Sequence, residues 1–236
     1  IDAAITTIKA TIAASLKGVF ETLLPKMETS GEFDPASEPA GKRSLSGVAL
    51  AYLSLGDGNA AWAYQAYQSA GNMTEQSEAL RILTSQYPAE NETNLALSDF
   101  KTRFADNPLV MDKWLGLQAR IPGDFALEKV KQLMKDDVYD ASNPNRIRSL
   151  IGTFAAGNAT GFNRADGAGY MLLADQVLEI DPKNPQVAAR LLTSMRSWRN
   201  LEPIRKAAAK VALEKIAGSD GLSADVSDIV ERTLAS

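Results

Sequence analysis

From Lys42 to the end of the chain, apolar residues recur every three to four positions between short turn signals, with almost no alternating run rich in Val, Ile and Thr. A half-buried strand needs period two, so this pattern confines the chain to an all-α fold. Between Asp124 and Lys135, Leu127, Val130, Leu133 and Met134 share one face while Glu128, Lys129 and Lys131 fall largely elsewhere, and Asp124 is placed to cap the start. Gln186 to Trp198 repeats the theme with Val187, Leu191, Met195 and Trp198. A last helix is expected from Ser223, burying Val226, Ile229, Val230 and Leu234.

Three dipeptides punctuate this pattern: Asn107-Pro108, Asn143-Pro144 and Asn184-Pro185, 36 and 41 residues apart. An Asn oxygen accepts an orphan N–H at a helix start, and Pro fits the next position because its missing N–H has no partner to lose there. The separations approach the length of one helix pair in armadillo and HEAT arrays. The expected architecture is a superhelical array of stacked antiparallel helix pairs, an α-solenoid, rather than a closed bundle. Residues 42–236 are expected to form the helical-repeat domain, one continuous α-solenoid together with residues 1–26. Residues 1–41 hold an N-terminal helix, with Ile5, Ile8, Ile12 and Leu16 as its apolar stripe, and a linker or long loop marked by Gly31, Pro35, Pro39 and Gly41. That helix closes near Pro25 and is expected to pack its stripe against the array.

Two zeros in the composition exclude whole classes of chemistry: the 236 residues contain no Cys and no His. The chain therefore supplies no HExxH or Cys-rich zinc site, no Ser-His-Asp or Cys-His nucleophile and no haem His ligand. Lack of Cys leaves the redox compartment open between cytoplasm and periplasm; a cytoplasmic location is the working expectation. With 25 Lys and Arg against 29 Asp and Glu, the net charge of −4 is the wrong sign for a phosphate-binding surface. No stretch of 18 apolar residues suggests a membrane span. The first residue is Ile, without a signal-peptide pattern behind it, which suggests a piece of a longer polypeptide.

The densest polar segment is Ser142-Asn143-Pro144-Asn145-Arg146-Ile147-Arg148-Ser149. Arginines two apart on a helix diverge, so at most one of Arg146 and Arg148 faces inward. A binding role would aim a guanidinium fork at a carboxylate or carbonyl, whereas the structural reading is an interhelical salt bridge. Glycines at 157, 161, 167 and 169 mark a close backbone approach or an inter-helix loop. They are no dinucleotide fingerprint, since no strand precedes them and a third spaced glycine is missing. Trp62, Tyr64, Tyr67, Trp114 and Trp198 read as core aromatics. Asp136-Asp137 reads as a solvated helix end rather than a catalytic dyad.

Four blocks resemble, in order, the C-terminal helical domain of the bacterial aminopeptidase N family: Gly71-Asn72-Met73-Thr74, Asn107 to Trp114, Ser142 to Gly152, and Asn184-Pro185-Gln186-Val187-Ala188-Ala189-Arg190. The resemblance spans about Lys42 to Ser236. Members are monozinc metallo-aminopeptidases, and the likeness implies an accessory domain that caps the active-site chamber and restricts access to short peptides. It implies zinc in the parent enzyme and none in this chain, which is expected to be inactive alone. The partners it implies are the catalytic domain of the same polypeptide and short peptide substrates, with no nucleic acid or membrane. Arginines of this domain line the chamber in the family, and the matching positions here are Arg148 and Arg190. Two other classes compete: a free-standing helical-repeat scaffold binding a protein on its concave face, and a carboxylate-only glycosidase on a helical toroid, for which no suitably placed acidic pair is apparent.

Overall fold

The computed structural model describes residues 2–29, 32–123 and 125–235, and among them there is no strand. The expected cap Asp124 and the linker residue Gly31 lie outside the described residues. Two compact units form, Ile1–Arg103 and Phe104–Ser236.

In the first unit, α1 (Asp2–Ser15), α2 (Lys17–Leu23), α4 (Ala61–Ser69) and α5 (Met73–Gln86) all pack against the long α3 (Ser37–Asp57), and α6 (Asn91–Phe104) follows. Phe20 of α2 stacks on Tyr52 of α3 with ring centroids 5.1 Å apart, over buried Ala49 and Leu53. α3 stops at Gly58, whose positive φ of 67° suits a residue without Cβ. Beside that stop, Asp57 accepts hydrogen bonds from Lys17 Nζ at 2.7 Å and from Trp62 Nε1, joining α2, α3 and α4. Those two donors hold its carboxyl below the usual range. Asn72 caps α5 by accepting from Glu75 N at 3.0 Å.

Two expectations for this region need correction. The loop read over 27–42 is shorter, because α3 already begins at Ser37 and contains Pro39 and Gly41. Pro39 lies in the first turn, where an N–H would have no intrahelical acceptor, so the ring breaks nothing. The stripe of α1 is also packed inward only in part: Ile5, Ile8 and Leu16 are exposed, Ile12 is half-buried, and the small Ala13 is the residue covered. Close approach of α1 to Gly56 of α3 suits the small Ala13, Ile12 packs on the Phe20, Ala49 and Leu53 cluster, and Ile5, Ile8 and Leu16 stay outside.

The second unit contains α7 (Pro108–Ala119), α8 (Ala126–Leu133), a continuous helix from α9 (Pro144–Ile147) through a π-helical turn (Arg148–Gly152) to α10 (Thr153–Gly157), then α11 (Ala159–Phe162), α12 (Ala168–Ile180), α13 (Pro185–Leu192), α14 (Pro203–Ala217) and α15 (Ala224–Ala235). All three Asn-Pro pairs open helices as the sequence suggests: the side chains of Asn107, Asn143 and Asn184 accept from the N–H of Val110, Asn145 and Val187. Ser223 caps α15. The stripe Val187, Leu191, Met195 and Trp198 is buried, but not on one helix; α13 ends at Leu192 and two short 3-10 turns carry Met195 and Trp198. Of the aromatics read as core, Tyr67, Trp114 and Trp198 are buried, and Trp62 and Tyr64 half-buried.

The glycine-dense segment is close packing. A Cβ on Gly169 would stand 2.2 Å from the Phe162 carbonyl oxygen, a distance no side chain tolerates. Phe154, Phe162 and Tyr170 then meet edge to face, at 5.9 and 5.2 Å between centroids. At the head of α12, Asp166 accepts from Ala168 N at 3.0 Å and pairs with Arg164 at 2.7 Å.

Asn158, only 3 % exposed, is a hub: its Nδ2 donates to the carbonyls of Ala119 (3.0 Å) and Ile121 (2.7 Å), and its Oδ1 accepts from Gly161 N (2.9 Å). Asn158→Ala strands all three backbone partners and is expected to destabilise the fold by about 3 kcal/mol in urea denaturation; Asn158→Asp, which supplies no donors, should be no better. A loss under about 0.5 kcal/mol would show that these bonds do not hold the turn. Asp166 gives a pH test. The Arg164 bond lowers its pKa from 3.8 to about 2, so the folded state takes up this proton at lower pH than the unfolded chain. Its stabilisation is complete above about pH 4 and disappears as pH falls toward 2. The stability difference between wild type and Asp166→Asn should shrink across that window, and a flat difference would contradict the assignment.

Candidate functional site

The two arginines of the Asn143-to-Ser149 block divide their tasks. Arg146 reaches back to α7, where its guanidinium bonds Asp112 and donates to the Pro108 carbonyl at 2.7 Å; the paired side chains are 11 and 16 % exposed. This is the interhelical salt bridge that the sequence left as one of two readings. Arg148, two residues on, is exposed and makes a 3.3 Å bond to Asn145 Oδ1.

Arg148 also begins the π-helical turn. Its carbonyl accepts from the N–H of Thr153, five residues on, and from the Thr153 hydroxyl at 3.3 Å. Single π turns inside α-helices are rare and frequent at functional positions. The turn is clasped between α7 and α13. A Cβ on Gly116 of α7 would lie 3.6 Å from the Ser149 carbonyl, and one on Gly152 would lie 3.5 Å from the Leu191 side chain and 3.9 Å from Arg148 Cβ. Arg190, next to Leu191, is exposed in the last turn of α13, where a cation suits the helix dipole. Its side chain has no ion-pair or hydrogen-bond partner among the described residues. The structure thus brings both sequence-selected arginines onto elements that touch, and neither is matched with a carboxylate among the described residues. Two such guanidiniums can take a carboxylate or peptide carbonyls by charge-assisted hydrogen bonds.

The sequence reading missed a broad concavity of about 1030 Å³ in the first unit, between residues 24–29 and 32–34, the start of α3, and the α4–α5 connection. Glu28, Glu32 and Glu75 lie on it, with Trp62 and Phe33. Part of its polar lining is paired: Thr29 Oγ1 donates to Glu75 Oε1 at 3.1 Å, and Arg43 lies 4.5 Å from the Phe33 ring centroid while donating to the Asp34 carbonyl at 2.8 Å. The first bond ties Thr29 to α5, and the Arg43 contacts tie Phe33 and Asp34 to α3. Asp136 accepts from Val138 N at 2.9 Å in the turn after α8, which is a local cap.

Among the described residues no three His, Cys, Asp or Glu side chains converge as a metal site requires. With neither His nor Cys in its sequence, the chain lacks the side chains that most often ligate a catalytic zinc.

Because Arg146 leaves Asp112 mostly buried and unpaired when removed, Arg146→Ala is expected to destabilise the fold by about 3 kcal/mol. Arg148→Ala and Arg190→Ala should each stay within about 0.5 kcal/mol of wild type. Chemical denaturation of the three variants checks the division; comparable losses in all three would assign all three to structure.

The family model described as "Domain of unknown function (DUF3458_C) ARM repeats" matches residues 1–235, carrying the likeness well upstream of Lys42. Aminopeptidase N of Caulobacter vibrioides is 33 % identical over 229 residues, 96 % of this chain and 26 % of that protein. Aminopeptidase N of Haemophilus influenzae is 32 % identical over 99 % of this chain and 27 % of its own length. The crystal structure of Legionella pneumophila aminopeptidase A in complex with aspartic acid superposes with a TM-score of 0.90 at 29 % identity, over 99 % of this chain and 28 % of that one. The chain therefore spans about a quarter of the length of the relatives it matches. Helical throughout its regular structure, matched by an ARM-repeat model along almost its whole length, and homologous to the C-terminal part of bacterial aminopeptidase N, it belongs to the DUF3458_C family of ARM-repeat domains.

Proposed function

We propose that this chain is the C-terminal accessory domain of a zinc-dependent aminopeptidase that removes N-terminal residues from short peptides, and that it caps the active-site chamber and restricts access to it. The observation that carries this reading is the pair of exposed arginines on touching elements, Arg148 on the π turn and Arg190 on α13. A peptide bound by its amino end at a catalytic centre elsewhere in the polypeptide projects its chain and terminal carboxylate away from that centre. Fixed guanidiniums there orient it and lower the entropy lost on binding. Since the chain contains neither His nor Cys, this reading assigns the metal and the bond-breaking groups to the remainder of the parent polypeptide and takes the chain alone as inactive. A cytoplasmic location belongs to the same reading, in keeping with turnover of short peptides.

Arg148→Ala, made in the full-length enzyme, tests the proposal. One charge-assisted hydrogen bond is worth roughly 1.5 to 3 kcal/mol, so KM for peptides with a free carboxylate should rise about tenfold or more. An alanyl anilide without that carboxylate should be used within about twofold of wild type. Equal losses on both substrates would remove Arg148 from substrate binding.

A further inference from the structure

α7 and the helix that carries the π turn lie parallel. Asp112 meets Arg146, a Cβ on Gly116 would stand 3.6 Å from the Ser149 carbonyl and 3.8 Å from the Thr153 hydroxyl, and one on Gly157 would stand 3.1 Å from Arg120 Cζ. Where two right-handed helices run parallel, the residue that follows a contact on one and the residue that precedes a contact on the other turn to the same side of the seam, each by about 100°. Lys113 follows Asp112, and Arg148 precedes Ser149. Arg120, two turns beyond Lys113, shares its face. Gly152 precedes Thr153 and turns to that side too, where a Cβ on it would stand 3.5 Å from Leu191 of α13, the neighbour of Arg190.

Four exposed cations therefore border one seam, and none of them meets a carboxylate among the described residues. Elsewhere in this unit Lys131, Arg164, Arg205 and Lys215 each hold one. Arg120 is seated as well as exposed. Its guanidinium lies over Gly157, with Cζ, Nη1 and Nη2 at 3.1, 3.2 and 3.4 Å from where a Cβ would stand, at the carbonyl end of α10 that favours a cation.

We propose that this strip selects, among short peptides, those that carry an Asp or Glu side chain in addition to their terminal carboxylate. The inference rests on the accessory-domain reading and deepens it by naming the substrate class. Lys113 and Arg120 are about 10 Å apart along α7, a span that an extended peptide crosses in about three residues. A terminal carboxylate held by Arg148 and Arg190 brings an acidic side chain two or three residues before it to Lys113 and Arg120, where charge-assisted hydrogen bonds receive it. A polyphosphate or nucleic acid fits less well, because the net charge of −4 repels a polyanion, whereas one added carboxylate needs only a local match.

The two pentapeptides Ala-Ala-Glu-Ala-Ala and Ala-Ala-Gln-Ala-Ala differ by a single charge, and kcat/KM of the full-length enzyme on each decides the matter. The Glu peptide is expected to be favoured about fivefold, the upper end of what an exposed ion pair yields. The double variant Lys113→Gln/Arg120→Gln should bring that ratio close to one, and Arg120→Glu should push it below one. Gly157→Leu, which displaces the guanidinium and keeps its charge, should lower it in part. Both peptides are compared on the same enzyme, so a general loss of activity cancels. A wild-type ratio close to one, or a ratio that the double variant leaves unchanged, overturns the proposal. So does a double variant that lowers the unfolding midpoint without moving the ratio, which would assign these cations to contacts with the rest of the polypeptide. Equal hydrolysis of both peptides removes only the selection, whereas hydrolysis of neither sinks the peptidase reading along with it.

Discussion

Every helix leaves orphan N–H groups at one end and orphan carbonyls at the other, and a chain built of many short helices multiplies those ends. Satisfying them is the constraint on which this structure depends. Asn72, Asn107, Asn143 and Asn184 each close a helix start with the side-chain oxygen. Asn158 goes further, accepting from Gly161 N while donating to two carbonyls at the end of α7 and just beyond it. Asp181, buried, does the equivalent across a longer gap by accepting from the backbone N–H and hydroxyl of Ser223. Each of these polar groups is locally satisfied, so the junctions can be packed against apolar neighbours without stranding a donor or acceptor.

The candidate site is a by-product of this economy. Asn143 starts the helix, Arg146 anchors it to α7 through Asp112, and the π turn that follows is clasped by α7 and α13. Arg148 extends from a backbone fixed on two sides, and Arg190 stands on the element that provides one of them. An exposed guanidinium is normally a mobile charge. Mounted on such a support it approaches the preorganisation that oriented binding requires.

The helices and most of their buried faces were legible in the sequence, because apolar spacing and Asn-Pro starts are local signals that tertiary contacts reinforced. Val187, Leu191, Met195 and Trp198 were rightly read as one buried stripe, although the backbone carries them on a helix and two tight turns. The glycine cluster near Gly169 was legible as close approach, but the partner, the Phe162 carbonyl, was not. The π turn gave no advance signal, since a one-residue widening leaves Ile147, Leu150, Ile151 and Phe154 at ordinary helical spacing. The reading of α1 held only in part: Ile12 packs on the Phe20, Ala49 and Leu53 cluster and Ala13 is covered, whereas Ile5, Ile8 and Leu16 stay exposed.

By itself the sequence determined the all-helical class, the helix starts, and the absence of imidazole and thiol, because each follows from residue type or local spacing. Only the tertiary structure decided that Arg146 is a structural ion pair while Arg148 is presented to solvent beside the helix bearing Arg190. Two arginines in one short segment are chemically alike, and what separates them is an Asp112 contributed from 34 residues away.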